Sequence, residues 1–304
     1  MTAKTNFRIE NNFIAEDGAD ISRVRPVVLS VEGLLTSDGD GVRLTRTIGS
    51  STLPMLDPFL LLDMLYSDEP RNYLAGFPEH PHRGFETVTY VLAGHVRHED
   101  SKGHAGLLEP GGVQWMTAGQ GIVHSEMPEQ ENGLLWGFQL WINLPATQKM
   151  TEPYYQELLA SEIPLEHRPD GSQVRVIAGQ TNLGTTGSIH GVSTEPIYFD
   201  VTVAPGSYFV ETIPIAHNSF IFVYEGNIAV RGNSPDEEQT VKAGTLAVLG
   251  EGDQVQVKTR ETPGKFLLIA GKPLNEPVAR SGPFVMNTRA EVLQAYRDYW
   301  AGRL

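Results

Sequence analysis

The chain has 304 residues, 40% of them hydrophobic, enough to bury the cores of two domains of ordinary size. It has no cysteine, which excludes disulfides, thiolate metal sites and a cysteine nucleophile, so any metal must be held by nitrogen and oxygen. With 37 acidic against 23 basic residues the formal charge is −14, and no dense Lys/Arg run offsets it, which argues against direct nucleic-acid binding.

The first residues, MTAKTNFRIENNF, are polar and lack the apolar stretch of a secretory leader. No later segment is long and apolar enough to span a bilayer, so a soluble, cytoplasmic protein is expected. The 31 glycines and 20 prolines suit short strands joined by turns better than long helices, which predicts a β-rich chain. ETVTYVLAG (86–94) reads as a strand with a glycine stop, and IYFDVTVAPG (197–206), SFIFVYEG (219–226) and KFLLIAG (265–271) read likewise. Pro145, Pro153, Pro164 and Pro169 punctuate the middle. They predict a linker over 146–175 between an N-terminal domain (1–145) and a C-terminal domain (176–304), with a short helix at YYQELLA (154–160). Near the C-terminus Thr288 and Glu291 have the spacing of a capping box. Val292, Leu293, Tyr296 and Trp300 follow at helical intervals, predicting an amphipathic helix packed on the β domains.

A weak internal repeat runs through the chain. A strand ends at Gly94, and Pro110-Gly111-Gly112 precedes Val113-Gln114-Trp115-Met116. In the second half a strand ends at Gly226, and Ala243-Gly244 precedes Thr245-Leu246-Ala247-Val248, at an offset of 132 or 133 residues. Two copies of one β-barrel module account for this.

The chemistry-bearing residues fall in two short clusters, His80-Pro81-His82 and His124-Ser125-Glu126. Residues i and i+2 of a strand share a face, so each pair projects together. If the two strands pair in one sheet, four donors converge on a single divalent transition metal. Imidazole and carboxylate suit Fe, Mn, Ni, Cu or Zn, and an ionised Glu126 lowers the charge of the site from +2 to +1. Trp115, Met116 and Phe85 lie near these ligands in sequence and are expected either to line an apolar pocket or to fill the core. His98 and His104, among Glu99, Asp100, Ser101 and Lys102, read as part of a solvated loop with His95 before them. His167 and His190 are isolated. His217 stands where a second metal motif would begin, but Val255 and Val257 occupy the place of the second cluster, so the second half is expected to lack ligands.

The segments HPHRGFETVTYVLAG and EPGGVQWMTAGQGIVHSEMP resemble the signature segments of the pirin family, within the cupin superfamily. LDPFLLLD (56–63), HNSFIFVYEG (217–226) and GPFVMNT (282–288) are similar to it too, so the resemblance extends from about residue 40 to the end. It implies an all-β fold of two cupin-type antiparallel β-barrels, face to face, with a C-terminal helix. It also implies iron in the first barrel, held by His80, His82, His124 and Glu126. The general cupin pattern instead places its carboxylate at Glu86, which stays open as a rival ligand. In function the resemblance implies a dioxygenase that cleaves a flavonol such as quercetin with O2, Glu126 serving as the base. Two alternatives are a metal-dependent regulator acting through protein partners and a metal-dependent isomerase or hydrolase. A monomer is expected, since no exposed apolar stripe stands out.

Overall fold

The structure is a computed structural model and describes residues 23–130, 133–234 and 236–304. The N-terminal segment read for a leader lies outside these residues. Among them no helix is long and apolar enough to cross a membrane.

In chain order the first set of strands is β1 (Val27–Glu32), β2 (Leu34–Asp38), β3 (Val42–Arg46), β4 (Phe59–Ser67), β5 (Phe77–His82), β6 (Phe85–Ala93), β7 (Val96–Asp100), β8 (Ala105–Leu108), β9 (Val113–Thr117), β10 (Ile122–Pro128) and β11 (Leu135–Asn143). The second set is β12 (Tyr154–Leu158), β13 (Leu165–His167), β14 (Gln173–Ala178), β15 (Ile197–Val203), β16 (Tyr208–Thr212), β17 (Asn218–Glu225), β18 (Asn227–Arg231), β19 (Glu238–Lys242), β20 (Thr245–Leu249), β21 (Gln254–Lys258) and β22 (Gly264–Gly271). A hairpin of β23 (Ala279–Ser281) and β24 (Phe284–Met286) and the helix α1 (Arg289–Trp300) end the chain.

These strands form two antiparallel barrels. In the first, a seven-stranded sheet in the order β12-β9-β6-β11-β4-β3-β2 faces a four-stranded sheet, β5-β10-β7-β8. The second repeats the plan with β1-β20-β17-β22-β15-β14-β13 facing β16-β21-β18-β19. The two sets correspond strand for strand, which gives the sequence repeat its physical basis. One exchange breaks the segregation: β1 pairs with β20 of the second barrel, and β12 pairs with β9 of the first. Each set lends its first strand to the other barrel, covering an edge that would otherwise be open to pairing.

The segment expected as a linker therefore holds β12, β13 and the start of β14. The helix expected at 154–160 is corrected: Tyr154–Leu158 is a strand, in register with Val113–Thr117. Glu157, Leu158 and Leu159 favour helices weakly, and the hydrogen bonds offered by the β9 edge outweigh that preference.

The two large sheets pack face to face. Val88, Tyr90, Trp115 and Phe138 meet Tyr198, Phe220, Phe222 and Leu267 in one core shared by both barrels. Edge-to-face ring pairs cross the seam, Phe59 on Phe220 at 5.2 Å and Phe138 on Phe222 at 6.0 Å. Polar bonds cross it as well, since Asp200 of the second barrel accepts hydrogen bonds from the hydroxyls of Tyr90 (2.6 Å) and Tyr224 (2.5 Å). Inside the second barrel Val255, Val257, Phe209 and their neighbours close a second apolar core.

Helix α1 is capped as its sequence predicts. Thr288 accepts from the Glu291 amide, and the Glu291 carboxylate accepts from the Thr288 amide, at 3.2 and 3.0 Å. Its buried face, Val292 and Ala295, packs on Phe284 and Met286. Leu293 and Trp300, expected on that face, are exposed, at 49% and 76%. The hairpin below is too narrow to cover the full apolar arc.

Candidate metal centre

Strand β10 is central to the site because it pairs with β5 on one side and β7 on the other. Its side chains alternate in burial, with Ile122, His124 and Glu126 turned inward. His124 lies directly across from His80 in the β5–β10 ladder. His82, two residues beyond His80, completes a triad whose ring centres are 4.4 to 5.0 Å apart. One ring nitrogen from each histidine lies within 4.8 Å of the others.

The environment of the triad fits a divalent metal. His80 uses its Nδ1 as donor to the carbonyl of Pro78 at 2.8 Å, which places the lone pair on Nε2. His82 and His124 are buried, and among the described residues all four of their ring nitrogens lack a hydrogen-bond partner. Such orphaned buried atoms are costly in a native protein unless an ion or water satisfies them. Burial holds His82 well below the ordinary histidine range and brings His124 down to about 4, so both present neutral rings at neutral pH.

Glu126 is buried on the same strand as His124 and stands beside rather than among the grouped histidine nitrogens. Its carboxylate accepts from the Thr89 hydroxyl at 2.8 Å and from the Gln139 amide at 3.2 Å. Neither Thr89 nor Gln139 stood out in the sequence. The available signal was a polar residue on the inward-facing alternation of otherwise apolar strands, β6 and β11.

Glu86, the rival ligand, lies on the other face of its sheet. It shares that face with Val88 and Tyr90, whose side chains enter the core between the barrels, and it accepts from the Thr117 hydroxyl at 2.8 Å. It shares even numbering with His80 and His82, but the chain turns at Arg83-Gly84 between β5 and β6, and the parity does not survive the corner. Burial pushes the Glu86 carboxyl up to about 7. The native protein thus keeps this proton to about pH 7, whereas the unfolded chain releases it near the ordinary value of 4.5. Between those values the native state binds more protons, so stability falls as pH rises across the window. Glu86→Gln is expected to stabilise the protein by roughly 3 kcal/mol at pH 8 and by nothing below pH ~4.5, as read from urea unfolding at the two pH values. An unchanged stability difference between them would refute the assignment.

The two readings left open for Phe85, Trp115 and Met116 divide between them. Phe85 does pack on His82, at 5.1 Å, but Trp115 points into the inter-barrel core and Met116 into a small cluster with Ala118 and Ile122. The indole beside the triad is that of Trp141, 5.1 Å from the His82 ring. His98, expected in a solvated loop, is buried on β7, and its Nε2 lies 2.7 Å from Glu157 of β12. The charged run around it only looked like a loop; the turn begins after Asp100. His104 is exposed and rests on Asp100. His217, of the second barrel, is buried.

His80 and His82 of the triad open onto a cavity of about 720 Å³, walled by Leu61, Leu65, Tyr73 and Trp141. An ionic group sits along one side, where Arg46 holds Asp63 (2.6 Å) and Asp38 (2.7 Å) together. Arg280, Gly282 and Pro283, from the β23–β24 hairpin, supply the last part of the wall. That hairpin is anchored beside the ligands. Arg83, next to His82, donates to the Gln120 carbonyl just ahead of β10 and to Asp298 of α1 at 2.8 Å. Gly84 has φ +87°, and a Cβ there would lie 2.0 Å from the Val285 carbonyl oxygen, so the close approach of β24 requires glycine.

Two interlocked antiparallel barrels, with a histidine triad inside one and an apolar core inside the other, define a two-domain cupin. The sequence matches the pirin family model over residues 41–142 and the pirin C-terminal cupin domain over 198–304. The chain belongs to the pirin family. It is 50% identical to a pirin-like protein of Caulobacter vibrioides, covering 92% of this chain and 99% of that one. It is 45% identical to human pirin, covering 90% and 92%. Its fold matches the crystal structure of a quercetin 2,3-dioxygenase from Acinetobacter baumannii with a TM-score of 0.83 and 34% identity, over 92% of this chain and 98% of that one.

Proposed function

We propose that the protein is a metal-dependent dioxygenase that opens a flavonol such as quercetin with O2, using iron held by His80, His82, His124 and Glu126. One observation carries this reading: His80, His82 and Glu126 line a cavity large enough for a planar polycyclic substrate, and the nitrogens of His82 and His124, unpartnered among the described residues, converge with His80 in one triad. The likeness to a quercetin 2,3-dioxygenase supports the same chemistry. Iron, rather than another first-row ion, rests on the family, since a His/Glu set accepts several.

When bound, the metal supplies a Lewis acid that polarises the 3-hydroxyl and 4-carbonyl oxygens of a flavonol and a centre at which O2 reacts. The protein side chains do the rest. Trp141 and the leucines exclude water and hold the ring system flat against the wall. Glu126 accepts the proton of the 3-hydroxyl, with Thr89 and Gln139 fixing its carboxylate. Addition of both oxygen atoms to the flavonolate with loss of carbon monoxide gives a depside, so no external reductant is needed.

The test is turnover of quercetin under air by iron-loaded protein, followed by carbon monoxide release. Loss of the base in Glu126→Gln is expected to cut kcat roughly 100-fold or more. Fully loaded wild-type protein that leaves quercetin intact would overturn the proposal.

A further inference from the structure

The cavity holds two arginines, and they differ in one respect. Arg46 is neutralised, because both Asp63 and Asp38 are bonded to it. Among the described residues Arg280 has no carboxylate bonded to it: its Nη1 donates to the Leu60 carbonyl at 2.9 Å, and its guanidinium lies over the Trp141 ring, 4.9 Å from the centre. Trp141 in turn stands 5.1 Å from the His82 ring, so one indole separates this cation from the triad. The side chain lines the cavity and remains accessible from it.

We propose that Arg280 is a specificity-determining residue that binds an anionic oxygen, a carboxylate or an ionised phenol, at the end of the substrate remote from the metal-chelating group. This deepens the flavonol reading above and rests on the same cavity. A guanidinium with free donors in a partly desolvated pocket binds a carboxylate far better than an ester or amide of the same shape. The charges around it permit this. Asp63 and Asp38 are committed to Arg46 as a group of net −1, and a dication held by three neutral imidazoles and Glu126 carries net +1. Asp40 and Glu79, which also line the cavity, are exposed and screened by solvent. A ligand that chelates at one end and carries an anion at the other therefore spans two positive groups. Arg280 belongs to the hairpin that follows the second barrel, so the C-terminal domain selects the substrate that the N-terminal barrel transforms.

The test is anaerobic binding, which needs no turnover. Metal-loaded protein is titrated with 3-hydroxyflavone carboxylated at position 7 or 4′ and with the methyl ester of each. Wild type is expected to bind at least one acid roughly tenfold or more tighter than its ester. Arg280→Met should abolish that preference while leaving ester affinity and metal content unchanged, and Arg280→Lys should restore part of it. Equal affinity for acid and ester in wild type, with both isomers, would overturn the proposal, as would an undiminished preference in Arg280→Met. An Arg280-dependent preference in a protein that never consumes quercetin would sink the dioxygenase reading and leave the anion subsite standing.

Discussion

His124→Leu is expected to abolish tight divalent-metal binding and, with it, any metal-dependent turnover. His80, His82 and Glu126 remain, but Glu126 is tied to Thr89 and Gln139 and cannot move to replace the missing nitrogen, and among the described residues no further His or carboxylate joins the triad. Loss of groups that only orient metal ligands already costs roughly 10- to 100-fold in affinity, so loss of a ligand should cost more. The metal-free forms should behave in the opposite way. In the metal-free wild type two buried ring nitrogens of His124 lack partners, and leucine of similar size removes that penalty, so the metal-free variant should be as stable as metal-free wild type or about 1 kcal/mol more stable. Equilibrium dialysis with metal analysis gives the first result and urea unfolding of the two metal-free proteins the second. A variant that keeps a full equivalent of tightly bound metal would refute the assignment of His124.

Lys149→Met is expected to be among the most destabilising single changes outside the apolar cores. Lys149 is buried, and its ammonium donates to three acceptors: Asn143 Oδ1 at 2.7 Å, the Gly84 carbonyl at 2.8 Å and the Val285 carbonyl at 2.9 Å. These belong to the end of β11, to the corner between β5 and β6, and to β24. One side chain thus ties the C-terminal hairpin to the strands that carry His82. Methionine fills similar volume but leaves three buried acceptors without a donor, each costing about 1–3 kcal/mol. Relief from burying the charge offsets part of this, and a net loss of roughly 3 kcal/mol follows. Because the hairpin carries Arg280 into the cavity, ligand affinity should weaken along with stability. Denaturant unfolding and anaerobic flavonol titration together check both, and a loss below 1 kcal/mol would mean that water replaces the ammonium without cost.

Much of this was legible in the sequence wherever the signal was local. The i, i+2 spacing placed His80 with His82 and His124 with Glu126, and β10 keeps that alternation. The capping box at Thr288 and Glu291 depends on four residues and formed as expected. The repeat of strand ends anticipated two barrels of one design. The parts that stayed hidden depend on distant partners. Tyr154–Leu158 became a strand only because the β9 edge was there to pair with it, and β1 crossed to the second barrel for the same reason. Trp141 and Arg280 reach the triad from strands that lie 59 and 198 residues beyond His82, so nothing near His82 in the sequence marks them. Glu86 stayed open as a rival ligand because its even numbering matches His80 and His82, but counting by twos fails where a glycine corner intervenes.

The proposed metal centre places one divalent ion among His80, His82 and His124. The most direct measurement is anomalous diffraction at the metal absorption edge on crystals of metal-loaded protein. A single strong peak is expected inside the first barrel, between those three imidazoles. A metal-loaded crystal with its peak elsewhere, or with none at the triad, would contradict it.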